Sequence, residues 1–167
     1  MRWRREVDPR VAEVLAGVSG ERLLAWGELV DGQVVVCTDL AIHMPEDGRV
    51  PWDLVVRGGW SEEFLDLVVQ PAPGAATRAL RLRFEEPGQV PSVFKERVQW
   101  TVVASHPAEL VHPDGRTGWV MLNARRSPAS GEIRWAAVFD PALDPRDPGW
   151  RAAADTALAA LREQLGV

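Results

Sequence analysis

A chain of 167 residues with net charge −5 has room for one ordinary globular core. Its 46% hydrophobic and 26% charged residues exclude wholesale disorder, and the acidic balance argues against non-specific attraction to nucleic acid or anionic lipid. No run of ~18 apolar residues occurs, so integral membrane association is not expected. The charged opening Met1–Glu6 lacks the apolar stretch of a secretory signal, and Cys37 has no second cysteine to pair with. The expectation is a cytoplasmic protein folded as a single domain over 1–167.

Asp8-Pro9 can cap and open a helix, and Val11, Val14, Leu15 and Val18 repeat at helical spacing, predicting a helix over 9–18. The period then changes to two. Strands are expected at 23–29 and 33–38 around the turn Asp31-Gly32, and a third at 41–44. Val50, Trp52, Leu54 and Val56 alternate on a fourth strand, with Pro51 at its start or on an edge. Gly58-Gly59 reads as the next turn, leading into a strand at 64–70, a loop over 71–76 and a strand over 78–85. The last of these is cleanly alternating: Leu80, Leu82 and Phe84 face inward, Arg81 and Arg83 outward. A short helix is predicted at 91–97, then strands at 98–105, 117–125 and 132–139. Asp147-Pro148 opens a terminal helix over 148–165 with an apolar stripe of Trp150, Ala154, Leu158, Leu161 and Leu165. Tight turns between the strands imply an antiparallel α+β fold.

The run Leu23-Leu24-Ala25-Trp26, Asp31-Gly32, Thr38-Asp39, Pro51-Trp52-Asp53 and Trp60 resembles bacterial pleckstrin-homology-like (PH-like, or GRAM-like) domains. It is most similar to small PH-like proteins of actinobacteria that add later strands and a terminal helix. The resemblance covers residues 20–86 and implies a bent antiparallel sheet or barrel, with helix 148–165 as its cap. It also implies a binding role, since PH-like folds serve lipid, peptide and protein recognition alike. Phosphoinositide-binding members carry basic residues in the first hairpin. Here that hairpin is Glu28-Leu29-Val30-Asp31-Gly32-Gln33, which argues against phosphoinositide binding.

The chemistry-bearing residues give no catalytic, metal or cofactor motif. His43, His106 and His112 lie in separate elements without the close pairing of a metal site, and read as surface or satisfied side chains. Asp140, Asp144 and Asp147 read as a proline-punctuated turn ending in a helix cap rather than a calcium loop. Neither a glycine-flanked nucleophile nor a phosphate loop occurs. Eight tryptophans are in excess: Trp52, Trp100, Trp119 and Trp135 fall in strand patterns and are expected in the core, whereas Trp3 and Trp60 are candidates for exposure.

With 18 arginines against one lysine, any single arginine says little, but Arg78, Arg81 and Arg83, with Lys95 and Arg97, can form a basic face, and Arg125-Arg126 a second cluster. The expected function is a non-enzymatic binding module that engages a protein or peptide through a sheet edge or a Trp/Arg patch, with Trp60, Arg57, Arg81 and Arg83 as its contact residues. The competing expectation is a small-molecule-binding protein or enzyme with an apolar pocket inside the barrel. Exposed strand edges leave self-association open as well.

Overall fold

A computed structural model describes residues 7–72 and 75–166; Trp3 lies outside them. The chain divides into two compact units, residues 1–101 with 128–130, and residues 102–127 with 131–167. Among the described residues, no helix is long and apolar enough to cross a membrane.

The first unit opens with α1 (Pro9–Ala16), whose N-terminal N–H groups are met by the Asp8 carboxylate accepting from Arg10 N at 2.9 Å. It then forms seven strands: β1 (Leu23–Leu29), β2 (Val34–Thr38), β3 (Ala41–Met44), β4 (Gly48–Pro51), β5 (Val55–Ser61), β6 (Phe64–Val69) and β7 (Arg78–Glu86). All pair antiparallel in one sheet of order β4-β3-β2-β1-β7-β6-β5, and α2 (Val90–Thr101) follows.

The β1–β2 turn is longer than the expected two residues. Leu29 N donates to Gln33 O (2.8 Å) and Gly32 N to Leu29 O (2.9 Å), so Val30-Asp31-Gly32 form the loop with Gly32 at φ +85°.

The expected strand through 50–56 is broken. Trp52–Leu54 is a single 3₁₀ turn, and Trp52, Asp53, Leu54 and Val55 are all buried, so alternation fails there. Pro51 supplies no ladder N–H, and the turn bridges two regions of the sheet. Trp52 N donates to Leu40 O (3.3 Å), while Gln70 N donates to Leu54 O (2.8 Å). The sheet therefore curls until its first and last strands are joined by one turn of chain, yet β4 and β5 do not pair. It is an open curled sheet and not the closed barrel the resemblance allowed.

Gly58-Gly59 does not turn the chain; both lie inside β5, and the turn is Glu62-Glu63. Glycine at 58 has a packing reason, because a Cβ there would sit 2.5 Å from Phe94 Cζ. Phe94 belongs to α2, which is longer than the predicted 91–97 and takes in Trp100, expected on a strand. Val90 and Phe94, one turn apart, drive α2 into the curled sheet, where Phe94 meets Trp52 edge-on at 5.9 Å. The inside is filled by Trp52, Ile42, Leu65, Leu67, Val35 and Val55, each at most 2% exposed. Outside, α1 lays Val11 on Val34 and Val36, which is why β2 is buried on both faces.

The second unit is a three-stranded antiparallel sheet of order β10-β9-β8, from β8 (Val102–Val111), β9 (Thr117–Arg126) and β10 (Ile133–Phe139). On it lies α3 (Pro148–Leu165), begun by Asp147 accepting from Gly149 N at 2.8 Å and ended by Gly166 at φ +71°. Trp150 and Ala154 of α3 pack on Leu110, Val120 and Leu122. The helix expected to cap the bent sheet thus packs on its own three strands, and the helix docked in the curled sheet is α2.

Candidate functional site

The register of β5, β6 and β7 places alternate residues in rows across the outer face. Ser61, Phe64 and Arg83 form one row, Gly59, Asp66 and Arg81 the next, and Arg57, Val68 and Ala79 a third. Three of the four sequence-predicted contact residues, Arg57, Arg81 and Arg83, therefore share one exposed face. Trp60 does not join them. It lies three residues from Arg57, so strand parity sends it to the opposite face, where it packs on the core and meets Phe84 at 5.0 Å. Its indole N–H is buried and finds no acceptor among the described residues.

The basic face is partly neutralised by its own neighbours. Arg81 pairs with Asp66 (3.1 Å) and lies over the Phe64 ring at 4.1 Å. Arg83 pairs with Glu63 at 2.8 Å; Arg78, at an odd offset from both, falls in the row of Val55 and Val69 instead of on this face and pairs with Asp47 at 2.8 Å. Arg57 has no carboxylate partner among the described residues. Between Arg57 and Arg81 the face sinks into a shallow depression of about 430 Å³ over Gly59, Val68 and Ala79, where side chains are small or absent. A Cβ at Gly59 would meet nothing within 4 Å.

Beside this face runs an outer strand of the sheet, whose ladder is irregular between Val55 and Arg57 and regular from Arg57 to Ser61. The two outer strands of the curled sheet are β4, four residues long and ending in proline, and β5, seven residues without proline. Short length and Pro51 blunt the first edge. Arg57, Gly58 and Gly59 stand exposed along the second.

Two polar clusters escaped the sequence reading. The first centres on Glu21, whose side chain is 3% exposed. Its carboxylate accepts from the Thr38 hydroxyl (2.7 Å) and Arg49 Nε (3.0 Å), and bonds His43 Nε2 at 3.2 Å. Burial pushes the Glu21 carboxyl up, but those three bonds outweigh it and hold it below its ordinary value. The four residues stand at 21, 38, 43 and 49 and meet only through the hairpin register, so no spacing rule finds them.

The second cluster clasps the start of α3. His112 Nε2 lies 3.0 Å from Asp147 Oδ1 and His112 Nδ1 2.9 Å from Asp114 Oδ1, while the ring packs edge-on against Trp150 at 4.9 Å. Arg116 Nε binds Asp114 at 2.6 Å. The hydrogen bond from His112 leads in holding the Asp147 carboxyl below its usual range, and the Arg116 backbone N–H leads for Asp114. Both arrangements are saturated by their own partners and tie segments together; neither presents a nucleophile.

Elsewhere, Asp140, Asp144 and Asp147 each accept the N–H two residues on, at 2.9, 2.9 and 2.8 Å, as the turn-and-cap reading expects. Arg125 is buried at 7% exposure, and burial lowers its guanidinium to about 10, so it adds nothing to a basic surface. Cys37 is fully buried, and burial pushes its thiol up to about 12. Among the described residues no three His, Cys, Asp or Glu side chains converge as metal donors. Comparison with family models, with curated proteins and with solved structures gives no match for this chain.

Proposed function

We propose that the seven-stranded unit is a PH-like, non-enzymatic binding module that takes up an extended peptide as an added strand along β5. The observation that carries this reading is the edge itself. Within β5, residues 57–61 form a regular outer run without proline, exposed at Arg57-Gly58-Gly59, on a sheet whose other edge is blunted. The bent antiparallel sheet with a docked helix supports the PH-like assignment, with α2 in the place first given to 148–165. Packing of Trp52, Phe94, Ile42 and Leu65 through the interior favours an edge site over an internal apolar pocket.

The test is a selection of random displayed peptides against the intact protein, followed by amide hydrogen exchange on the complex. The expected result is an enriched peptide that slows exchange at residues 55–61. Enrichment of none, or protection confined to other segments, overturns the reading.

A further inference from the structure

We propose that the strand added to β5 is acidic, with a carboxylate side chain seated over Gly59 against Arg57; this rests on the strand-addition reading above. An incoming strand sets its outward side chains in the rows already formed by β5, β6 and β7. The position opposite Gly59 continues the row Gly59, Asp66, Arg81, and its diagonal neighbour is Arg57. Space over Gly59 is open, so a side chain there has room in the depression lined by Arg57, Asp66 and Arg81; Asp66 is paired with Arg81, which leaves Arg57 as the cation a carboxylate there would meet.

The charge at that spot is specific. Arg81 and Arg83 are already paired with Asp66 and Glu63, whereas Arg57 has no carboxylate partner among the described residues. A carboxylate on the added strand would give Arg57 that partner, and a lysine or arginine there would face it with like charge. The same residue opposes a second copy of the chain. Two β5 strands paired antiparallel about Gly58 would place their Arg57 side chains diagonally on one face. The edge is thus open to strand addition and charged against its own kind. The protein carries −5 overall, so a preference for acidic peptides runs against its net charge and must come from this local arrangement.

Three labelled peptides test the proposal: alternating threonine and glutamate, and the same peptide with glutamine or with lysine in place of glutamate. Whichever direction such a strand runs, its charged positions share one face. Binding is read by fluorescence anisotropy at moderate salt, and β5 occupancy by hydrogen exchange. The glutamate peptide is expected to bind at least about tenfold tighter than the glutamine peptide, with protection over 55–61. Arg57→Glu is expected to reverse the order, so that the lysine peptide binds best, while Arg146→Glu, the same charge change on an exposed residue of the other unit, leaves the order intact. Equal binding of the glutamate and glutamine peptides, with β5 protected by both, overturns the acidic preference and leaves strand addition standing. If none of the three binds, strand addition falls and the acidic preference with it. Protection of residues 55–61 that rises with the protein's own concentration, without peptide, overturns the proposal in favour of a second copy.

Discussion

In the first unit, sixteen buried side chains from seven strands, a 3₁₀ turn and α2 meet inside one curled sheet; in the second, five meet between one helix and its sheet. Curling makes most inner positions of the strands apolar and, where no helix covers the outer face, releases the outer ones. Along β7, Leu80, Leu82 and Phe84 go in, and Arg81 and Arg83 go out. In the three-stranded sheet, α3 covers one face. On β9, Val120 and Leu122 lie under α3, yet Trp119 and Met121 on the other face are 55% and 38% exposed. A strand apolar on both faces carries no period to read, and so Trp119 was expected in the core and lies on the surface. Tryptophan content alone does not locate a core; Trp52 is enclosed by the curled sheet and Trp150 lies between helix and sheet, whereas Trp119 has neither.

The two units can be set against each other by one pair of substitutions. Trp52→Ala removes a fully buried ring that packs on Phe94 and donates to Thr38 O at 2.9 Å. It is expected to cost about 3–5 kcal/mol in urea unfolding. Trp119→Ala is expected to cost no more than about 0.5 kcal/mol, as for an ordinary surface change. Similar costs for the two would mean that Trp119 is covered in solution, and the contrast between the units would be broken.

A middle-sized effect sharpens the comparison at its polar clusters. Glu21→Gln keeps the shape of the side chain but removes the charge facing Arg49 and His43, and is expected to cost about 2 kcal/mol at pH 7. The Glu21 carboxyl is held below its ordinary 4.5 in the fold. Its stabilising contribution is therefore complete above that value and is lost as pH falls through the lower, folded value. The gap between wild type and Glu21→Gln in urea midpoint should shrink below about pH 4.5. A gap independent of pH would show that the carboxylate charge plays no part in the cluster.

What the sequence made legible was local. Asp8-Pro9 and Asp147-Pro148 cap helices by a rule that involves only near neighbours, and both do so here. The alternation of β7 put Arg81 and Arg83 on one face, and Arg57 shares it. Three misreadings have one cause, a tertiary contact that overrides a local signal. Trp52 pairs with Thr38 O and turns its segment into a 3₁₀ corner. Gly58 is glycine because Phe94 occupies the space above it, which the Gly-Gly pair disguised as a turn. The helical spacing of Val90 and Phe94 counts only because the curled sheet receives that face, so α2 runs on to Thr101. Trp60 stands at an odd offset from Arg57 within β5 and so faces the other way, a parity that the apparent Gly-Gly turn hid.

The smallest expected effect concerns the turn that carries the binding edge. The β1–β2 and β3–β4 turns of the first unit use Gly32 and Gly48 at positive φ, and both hairpins of the second unit use Gly115 and Gly131. The β5–β6 turn instead holds Glu62 at φ 55°, the single non-glycine residue with positive φ among those described. For an L-residue that region costs about 1–2 kcal/mol, because Cβ crowds the following carbonyl oxygen. Glu62→Gly relieves this crowding but gives the unfolded chain more freedom to lose, so a net gain of about 0.5–1 kcal/mol is expected in thermal unfolding. The substitution leaves the Glu63–Arg83 pair in place, and peptide binding along β5 should not change with it. A loss of stability would mean that the Glu62 side chain holds the turn. In that case the first unit would anchor its β5–β6 hairpin by a side chain where the four turns through Gly32, Gly48, Gly115 and Gly131 rely on glycine.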